Sequence, residues 1–262
     1  MKLLEIVKLL DGQPNATRRE LITEHFDALG VPYTAQRYAT GTNLVVDLGR
    51  AGRKIGVGAH FDRVPASAGA NDNGSAVAVG LDIIRRHQAV GSAAGVRVFF
   101  FDEEETDLHG SQAYVDKYGV GDLAGLLNLE LVGMGDTFAL WPVVADAGPL
   151  LTGLEAVVRR QGVRCQRFGQ LITNTADHLL FRQAGLRDAF TITCITDQDI
   201  AVAQRYFEAP AQHADKLVLW EILTQAPLFR HYHQPTDTHE KLSEATLAMA
   251  ASVVWETIVA AQ

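Results

Sequence analysis

Apolar positions along the chain change period repeatedly. Leu3, Leu4, Ile6, Val7 and Leu10 recur at helical spacing, and Asp11-Gly12 ends that element. A second helix opens at Asn15-Ala-Thr-Arg-Arg-Glu, with a polar N-cap candidate ahead of Leu21, Ile22, Phe26 and Leu29; Gly30-Val-Pro32 stops it. Residues 42–49 and 54–60 read as strands joined by a turn at 49–52. From 72 to 87 the period is helical, with Ala76, Val77, Val79, Gly80, Ile83 and Ile84 as an inward stripe. The run 96–101 is β-branched and aromatic almost throughout, as a strand buried on both faces requires. Beyond it the pattern predicts a helix near 111–117, strands at 124–130 and 137–141, and helices at 149–161 and 177–184. A strand at 189–195, a mostly helical stretch at 197–225 and a long amphipathic helix at 243–260 complete the chain.

Strands alternating with helices predict an α/β fold, a three-layer sandwich with a mixed, largely parallel central sheet flanked by helices. No Pro/Gly/Ser-rich linker, repeat or low-complexity tract divides residues 1–262, so one domain is the simplest reading.

Composition narrows this picture without redirecting it. With 262 residues and 47% apolar content the chain is long enough for one sizeable core, and a formal charge of −8 offers no basic face for nucleic acid. Cys165 and Cys194 stand in no metal-like spacing and read as buried small residues, not a disulfide. Glu5 and Lys8 interrupt the first apolar run, which therefore reads as an amphipathic helix and not a signal peptide. No run is long enough to span a bilayer, and the expectation is a soluble, cytoplasmic protein with no membrane partner.

The chemistry gathers at strand ends. The run 96–101 leads straight into Asp102-Glu103-Glu104-Glu105, and adjacent carboxylates at the end of a buried strand are costly unless a cation sits among them. By itself that cluster is a solvated acidic turn; other strand ends supply what such a cation would need. His60 ends a strand, with Asp62 two residues on in reach of its second ring nitrogen, although a lone histidine there is more often a core or edge residue. Asp72 lies on the loop that follows His60's strand, where the plain reading is helix capping by Asp72 or Asn71. Glu130 follows an apolar run where packing has no use for it, and His231-Tyr-His233 precedes Asp237 in a Pro-containing loop. In open α/β sheets, loops leaving strand ends line the ligand crevice.

Taken together these stretches resemble the M28 family of zinc exopeptidases, of the aminopeptidase type. Gly58-Ala-His-Phe-Asp62, Gly69-Ala-Asn-Asp-Asn-Gly-Ser75, the block from Phe101 to Ser111, Asn128-Leu-Glu-Leu131 and Tyr232-His-Gln-Pro-Thr-Asp-Thr238 stand in the family's order. Thr175-Ala-Asp-His-Leu-Leu-Phe181 is similar to a further family block. The resemblance implies two divalent metal ions, zinc by preference, bridged by Asp72. One ion would also take His60 and Glu130, the other Glu105 and His233. It makes Glu104 the general base and leaves Glu103 as a flanking acid; Asp62 would support His60. Asp177 and His178 match a block but not its ligands, so they are assigned a structural or pocket role.

There are departures from the pattern: Glu130 stands where the family has Asp, and Asp107 where it has Gly. Residues 196–230 exceed the family core and read as a helical insertion.

The implied function is hydrolysis of the N-terminal bond of short peptides, by a monomer or a homo-oligomer. Three alternatives stay open: a glutaminyl-cyclase-like acyltransferase with one zinc, a carboxypeptidase, and a catalytically silent binding domain on the same scaffold. A carboxypeptidase needs a fixed cation for the substrate carboxylate, and Arg63 is the candidate, ahead of Arg230.

Overall fold

The computed structural model describes residues 1–50, 52–141, 148–168, 175–208 and 221–261, with the side chains of 207 and 208 excepted. The strands are β1 (Thr34–Arg37), β2 (Thr42–Leu48), β3 (Lys54–His60), β4 (Val96–Phe101), β5 (Leu123–Leu129), β6 (Thr137–Trp141), β7 (Arg164–Arg167) and β8 (Ala189–Ile195). Among the described residues they make one mixed sheet in the order β1-β2-β4-β3-β5-β8-β6-β7. Its centre, β4-β3-β5-β8, is parallel, while β2 pairs antiparallel with β4 and β6 antiparallel with β8.

The helices are α1 (Leu3–Leu10), α2 (Asn15–Leu29), α3 (Ser75–Ala89), α4 (His109–Tyr118), α5 (Pro149–Gln161), α6 (His178–Gln183), α7 (Asp197–Glu208), α8 (Pro227–His231) and α9 (Glu244–Ala260). The alternation of β4 sorts the two helical layers. Val96, Val98 and Phe100 join the core that includes Val7, Phe26, Val79, Leu154 and Val254 from α1, α2, α3, α5 and α9. Phe99 and Phe101 face the other way, onto Tyr114 of α4 and Phe181 of α6. No helix among the described residues is long and apolar enough to cross a membrane.

The structure departs from the sequence reading in two places and decides a third, the pairing of residues 42–48 and 54–60, on which that reading was silent. Residues 42–48 and 54–60 are consecutive strands, yet they do not pair: β4 enters between them, with Val46 opposite Val98 on one side and Val57 opposite Val98 on the other. The helix expected from residue 72 starts at Ser75, because Asp72 (φ −108°, ψ 88°) and Asn73 (φ −129°, ψ 33°) are not helical. Strands β1 and β7 went unpredicted; both are short, lie at the sheet edges and are mostly exposed. Of the stretch read as helical at 197–225, residues 209–220 lie outside the described residues.

What positions the site is the path around β3. The chain leaves β3, crosses by α3 to β4 on one side, then crosses by α4 to β5 on the other. Parallel strands on both sides of β3 thus send their C-terminal ends into one crevice, the place where open α/β sheets bind ligands.

Candidate metal centre

Three strand ends and two loops converge there. His60 is the last residue of β3, Glu104 and Glu105 follow β4, and Glu130 follows β5. Asp72 comes from the turn before α3 and His233 from the loop after α8.

His60 is 1% exposed, and its Nδ1 faces Asp62 Oδ1 at 3.2 Å, which leaves Nε2 turned to the crevice. That nitrogen lies 3.3 Å from Asp72 Oδ1, 3.3 Å from Glu130 Oε2 and 3.8 Å from Glu104 Oε2. His233 Nε2 lies 2.9 Å from Glu105 Oε2 and 3.3 Å from Asp72 Oδ2. Asp72 therefore presents one oxygen to each histidine. Two triads, His60 with Glu104 and Glu130, and His60 with Asp72 and Glu105, bring their donor atoms within 4.8 Å of one another.

The second layer is as ordered as the first. Asp62, besides fixing the His60 ring, accepts the backbone N–H of Glu104 on Oδ1 and of Glu105 on Oδ2, each at 3.1 Å, so one carboxylate locks the ends of β3 and β4 together. Glu130 is held on both oxygens: Asn73 Nδ2 donates to Oε2 at 2.7 Å and Asn128 Nδ2 to Oε1 at 3.1 Å. Asp237 accepts the N–H groups of Asn71 and Asp72 at 2.9 and 3.1 Å. The sequence reading gave Asn73, Asn128 and Asp237 no role. Asn128, a lone amide inside an apolar strand, was the one visible signal.

Asp72 does not cap α3. Asn71 accepts the N–H of Gly133, and Ser75 that of Val132, so the polar residues around it stitch the turn to the end of β5.

The remaining candidates divide. Asp177 and His178 are fully buried near the crevice. The Thr191 hydroxyl accepts from Asn128 Nδ2 at 3.1 Å and shares a hydrogen bond of 2.7 Å with His178 Nδ1. Arg63 is not brought to the crevice. Its Nε donates to Gln13 O, its Nη1 to Val64 O and Pro65 O, and its Nη2 to Gly12 O, so every nitrogen of the fork serves a backbone carbonyl. Glu103 turns outward to Thr40 and His109.

So many carboxylates shape each other's protonation. Burial raises the pKa of Glu104 well above its ordinary value; Glu130, Asp177 and Asp72 add to this and His60 opposes it. Burial likewise raises Glu105 and Glu130. Asp177 is pushed up to about 7 by burial, against His60 and with Glu130 assisting. Burial disfavours a charge on His60, yet Glu130 and Glu104 overcome it and raise its pKa well above the ordinary value. His233 is raised to about 9, burial being outweighed by Asp72 and Glu105.

The donor set fits divalent metal. Among the described residues Asp72 Oδ2, Glu105 Oε1 and His233 Nε2 are buried atoms without a hydrogen-bond partner, although Asp72 Oδ2 and His233 Nε2 lie 3.3 Å apart. Carboxylate and imidazole atoms that approach without bonding each other are what a cation between them would satisfy.

Known proteins share the sequence pattern and the fold. The model of Peptidase family M28 matches residues 43–258. The aminopeptidase YwaD of Bacillus subtilis is 31% identical over 150 residues, covering 51% of this chain and 30% of that protein. Among solved structures, a Zn-dependent exopeptidase from Parabacteroides distasonis aligns with a TM-score of 0.72 at 18% identity, over 98% of this chain and 96% of that one. A glutaminyl cyclase from Fimbriiglobus ruber aligns with a TM-score of 0.70 at 18% identity, over 98% and 94%. The chain spans only 18% to 41% of the length of the first three curated relatives it matches. With the family model covering most of its length and the strand-end residues in place, the chain belongs to peptidase family M28.

Proposed function

We propose that this chain is a metallo-aminopeptidase that holds two divalent ions, zinc by preference, and hydrolyses the N-terminal bond of short peptides. One observation carries the reading: Asp72 offers Oδ1 to His60 Nε2 and Oδ2 to His233 Nε2, both at 3.3 Å. His60, Asp72 and Glu130 would hold one ion, and Asp72, Glu105 and His233 the other. Bound there, the ions supply a water of lowered pKa and a polarised scissile carbonyl. Glu104 is the carboxylate left over. Burial raises its proton affinity, which suits it to take the proton of the attacking water and pass it to the leaving amine.

The choice of substrate end follows from charge. An α-ammonium is satisfied by carboxylates, which crowd this crevice, whereas an α-carboxylate needs a free guanidinium fork. The Arg63 fork is spent on carbonyls, and this supports the amino end.

The test is metal content per chain of the loaded protein, paired with two matched peptides, one N-acetylated and one C-amidated. Two ions, with cleavage of the amidated peptide alone, are expected. One ion with cyclisation of N-terminal glutamine would make it a cyclase; cleavage of the acetylated peptide alone would make it a carboxypeptidase.

A further inference from the structure

Residues 1–42 precede the family match, yet one of their side chains reaches the metal-facing loops. Arg18, in the first turns of α2, is 0% exposed, an uncommon fate for arginine. Among the described residues none of its hydrogen bonds goes to a carboxylate. Nε donates to the carbonyl of Leu10 at 3.3 Å, Nη1 to those of Phe61 at 2.8 Å and Asp62 at 3.4 Å, and Nη2 to that of Gly69. These acceptors lie on three segments: the end of α1, the two residues after His60, and the glycine that opens the Asp72 turn.

Holding a guanidinium in the interior without a bonded counter-charge is costly. Burial, with Arg63 adding, lowers its pKa to about 10 against the pull of Asp62, Asp72 and Asp237, so it stays charged at neutral pH. An apolar side chain would anchor α2 without that cost. What only arginine supplies is a rigid planar fork that fixes several acceptors relative to one another. One of those acceptors, the Asp62 carbonyl, also faces His60 Nδ1 at 3.1 Å, and another, Gly69, accepts the N–H of Gly74 across the Asp72 turn at 3.1 Å. Arg18 thus touches both the group that orients the His60 ring and the turn that carries the bridging carboxylate. Gly74 makes room for it: a Cβ there would lie 3.0 Å from Arg18 Nη2 and 3.0 Å from Gly69 O.

We propose that Arg18 is a positioning residue of the metal centre, setting the spacing between His60 and Asp72 from a helix that contributes no ligand. The inference rests on the two-ion reading above. A staple that merely attached α2 to the body would affect folding and leave the ligand geometry alone.

The experiment compares Arg18→Lys, which keeps the charge and loses the fork, with Phe26→Leu. Phe26 lies on the same helix, is fully buried against Tyr33 and Phe100, and is remote from the loops. Zinc affinity is measured by chelator competition, and the cobalt-loaded protein supplies a d–d absorption spectrum that reads ligand geometry. Arg18→Lys is expected to weaken zinc binding about ten- to a hundredfold, as loss of an outer-layer partner does, and to change the cobalt spectrum. Phe26→Leu is expected to lower the melting temperature with zinc affinity and spectrum intact. Wild-type affinity and spectrum in Arg18→Lys would overturn the proposal, as would loss of affinity in both variants in step with melting temperature. Should Arg18→Lys not fold, Gly74→Ala decides, because its methyl group crowds the fork off Gly69: a changed cobalt spectrum supports the proposal and an unchanged one overturns it. A wild-type protein that binds no zinc would fail the metal reading itself, a result distinct from these.

Discussion

The two halves of the centre are built differently. On one side His60 is 1% exposed and clamped by Asp62, and Glu130 is held on both oxygens by amides. On the other, the His233 side chain is 35% exposed, stacks on Tyr232 at 3.8 Å and carries a positive φ of 58° in a loop; Glu105 Oε1 has no hydrogen-bond partner among the described residues. Both halves share Asp72. Ligands preorganised by strands and outer-layer bonds lose little freedom when an ion arrives, whereas loop ligands must be ordered at that moment. On the two-ion reading, one subsite would exist before metal and the other would be completed by it.

The largest effect expected from this asymmetry is on metal retention. His60→Ala should empty the rigid half and abolish turnover, while His233→Ala should leave one ion per chain in the rigid half, counted by mass spectrometry after dialysis. If His233→Ala lost both ions and His60→Ala kept one, the order of the halves would be reversed.

Glu104 faces the rigid half without serving as a ligand in our reading. Glu104→Gln should retain both ions and cost about a hundredfold to ten-thousandfold in kcat, the usual share of a general base. Loss of metal from this variant, with Glu105→Gln retaining it, would shift the register of the two glutamates by one.

A smaller change should follow Asp62→Asn, which leaves the backbone N–H groups of Glu104 and Glu105 with one good acceptor in place of two. Zinc affinity is expected to fall about ten- to a hundredfold, and the loss should fall on the tighter of the two binding steps in a titration. Unchanged affinity would reduce Asp62 to a turn residue.

The gentlest probe is pH. In metal-free protein His233 has a pKa raised from 6.5 to about 9, so its contribution to stability is full below pH 6.5 and lost as pH rises toward 9. His60, also raised, and Asp177, raised to about 7, act in the same direction. The melting temperature of chelated protein should therefore fall across that window, and zinc loading, which displaces the protons of His60 and His233, should reduce the slope. A chelated protein whose stability rose over the same range would contradict the cause given for these shifts.

Much of the fold was legible because burial writes itself into sequence. The bounds of β3, β4, β6, β8 and α5 follow from apolar runs and their terminating glycines, prolines or charges. Edge strands escape that logic: Thr34–Arg37 buries one side chain and Arg164–Arg167 none, so no alternation marks them. The insertion of β4 between β2 and β3 escapes it too, since which strands pair is decided by crossovers and not by neighbouring residues. The site divides along the same line. His60, Glu104, Glu105 and Glu130 stand out as polar residues after apolar runs, whereas Arg18 on a polar-looking helix and Asp237, 165 residues from the amide of Asp72 that it holds, reveal themselves only in space.

That long reach has a consequence for biosynthesis. A nascent chain that has emerged as far as Ile195 already contains every strand of the parallel centre, with His60, Asp72, Glu104, Glu105 and Glu130 but not His233. The carboxylate of Asp237, which accepts the N–H groups of Asn71 and Asp72, is still in the ribosome at that stage. Domains fold as units as they leave the tunnel, but here the Asp72 turn is latched by a residue 165 positions downstream. The Asp72 turn therefore lacks this latch until residue 237 has left the ribosome.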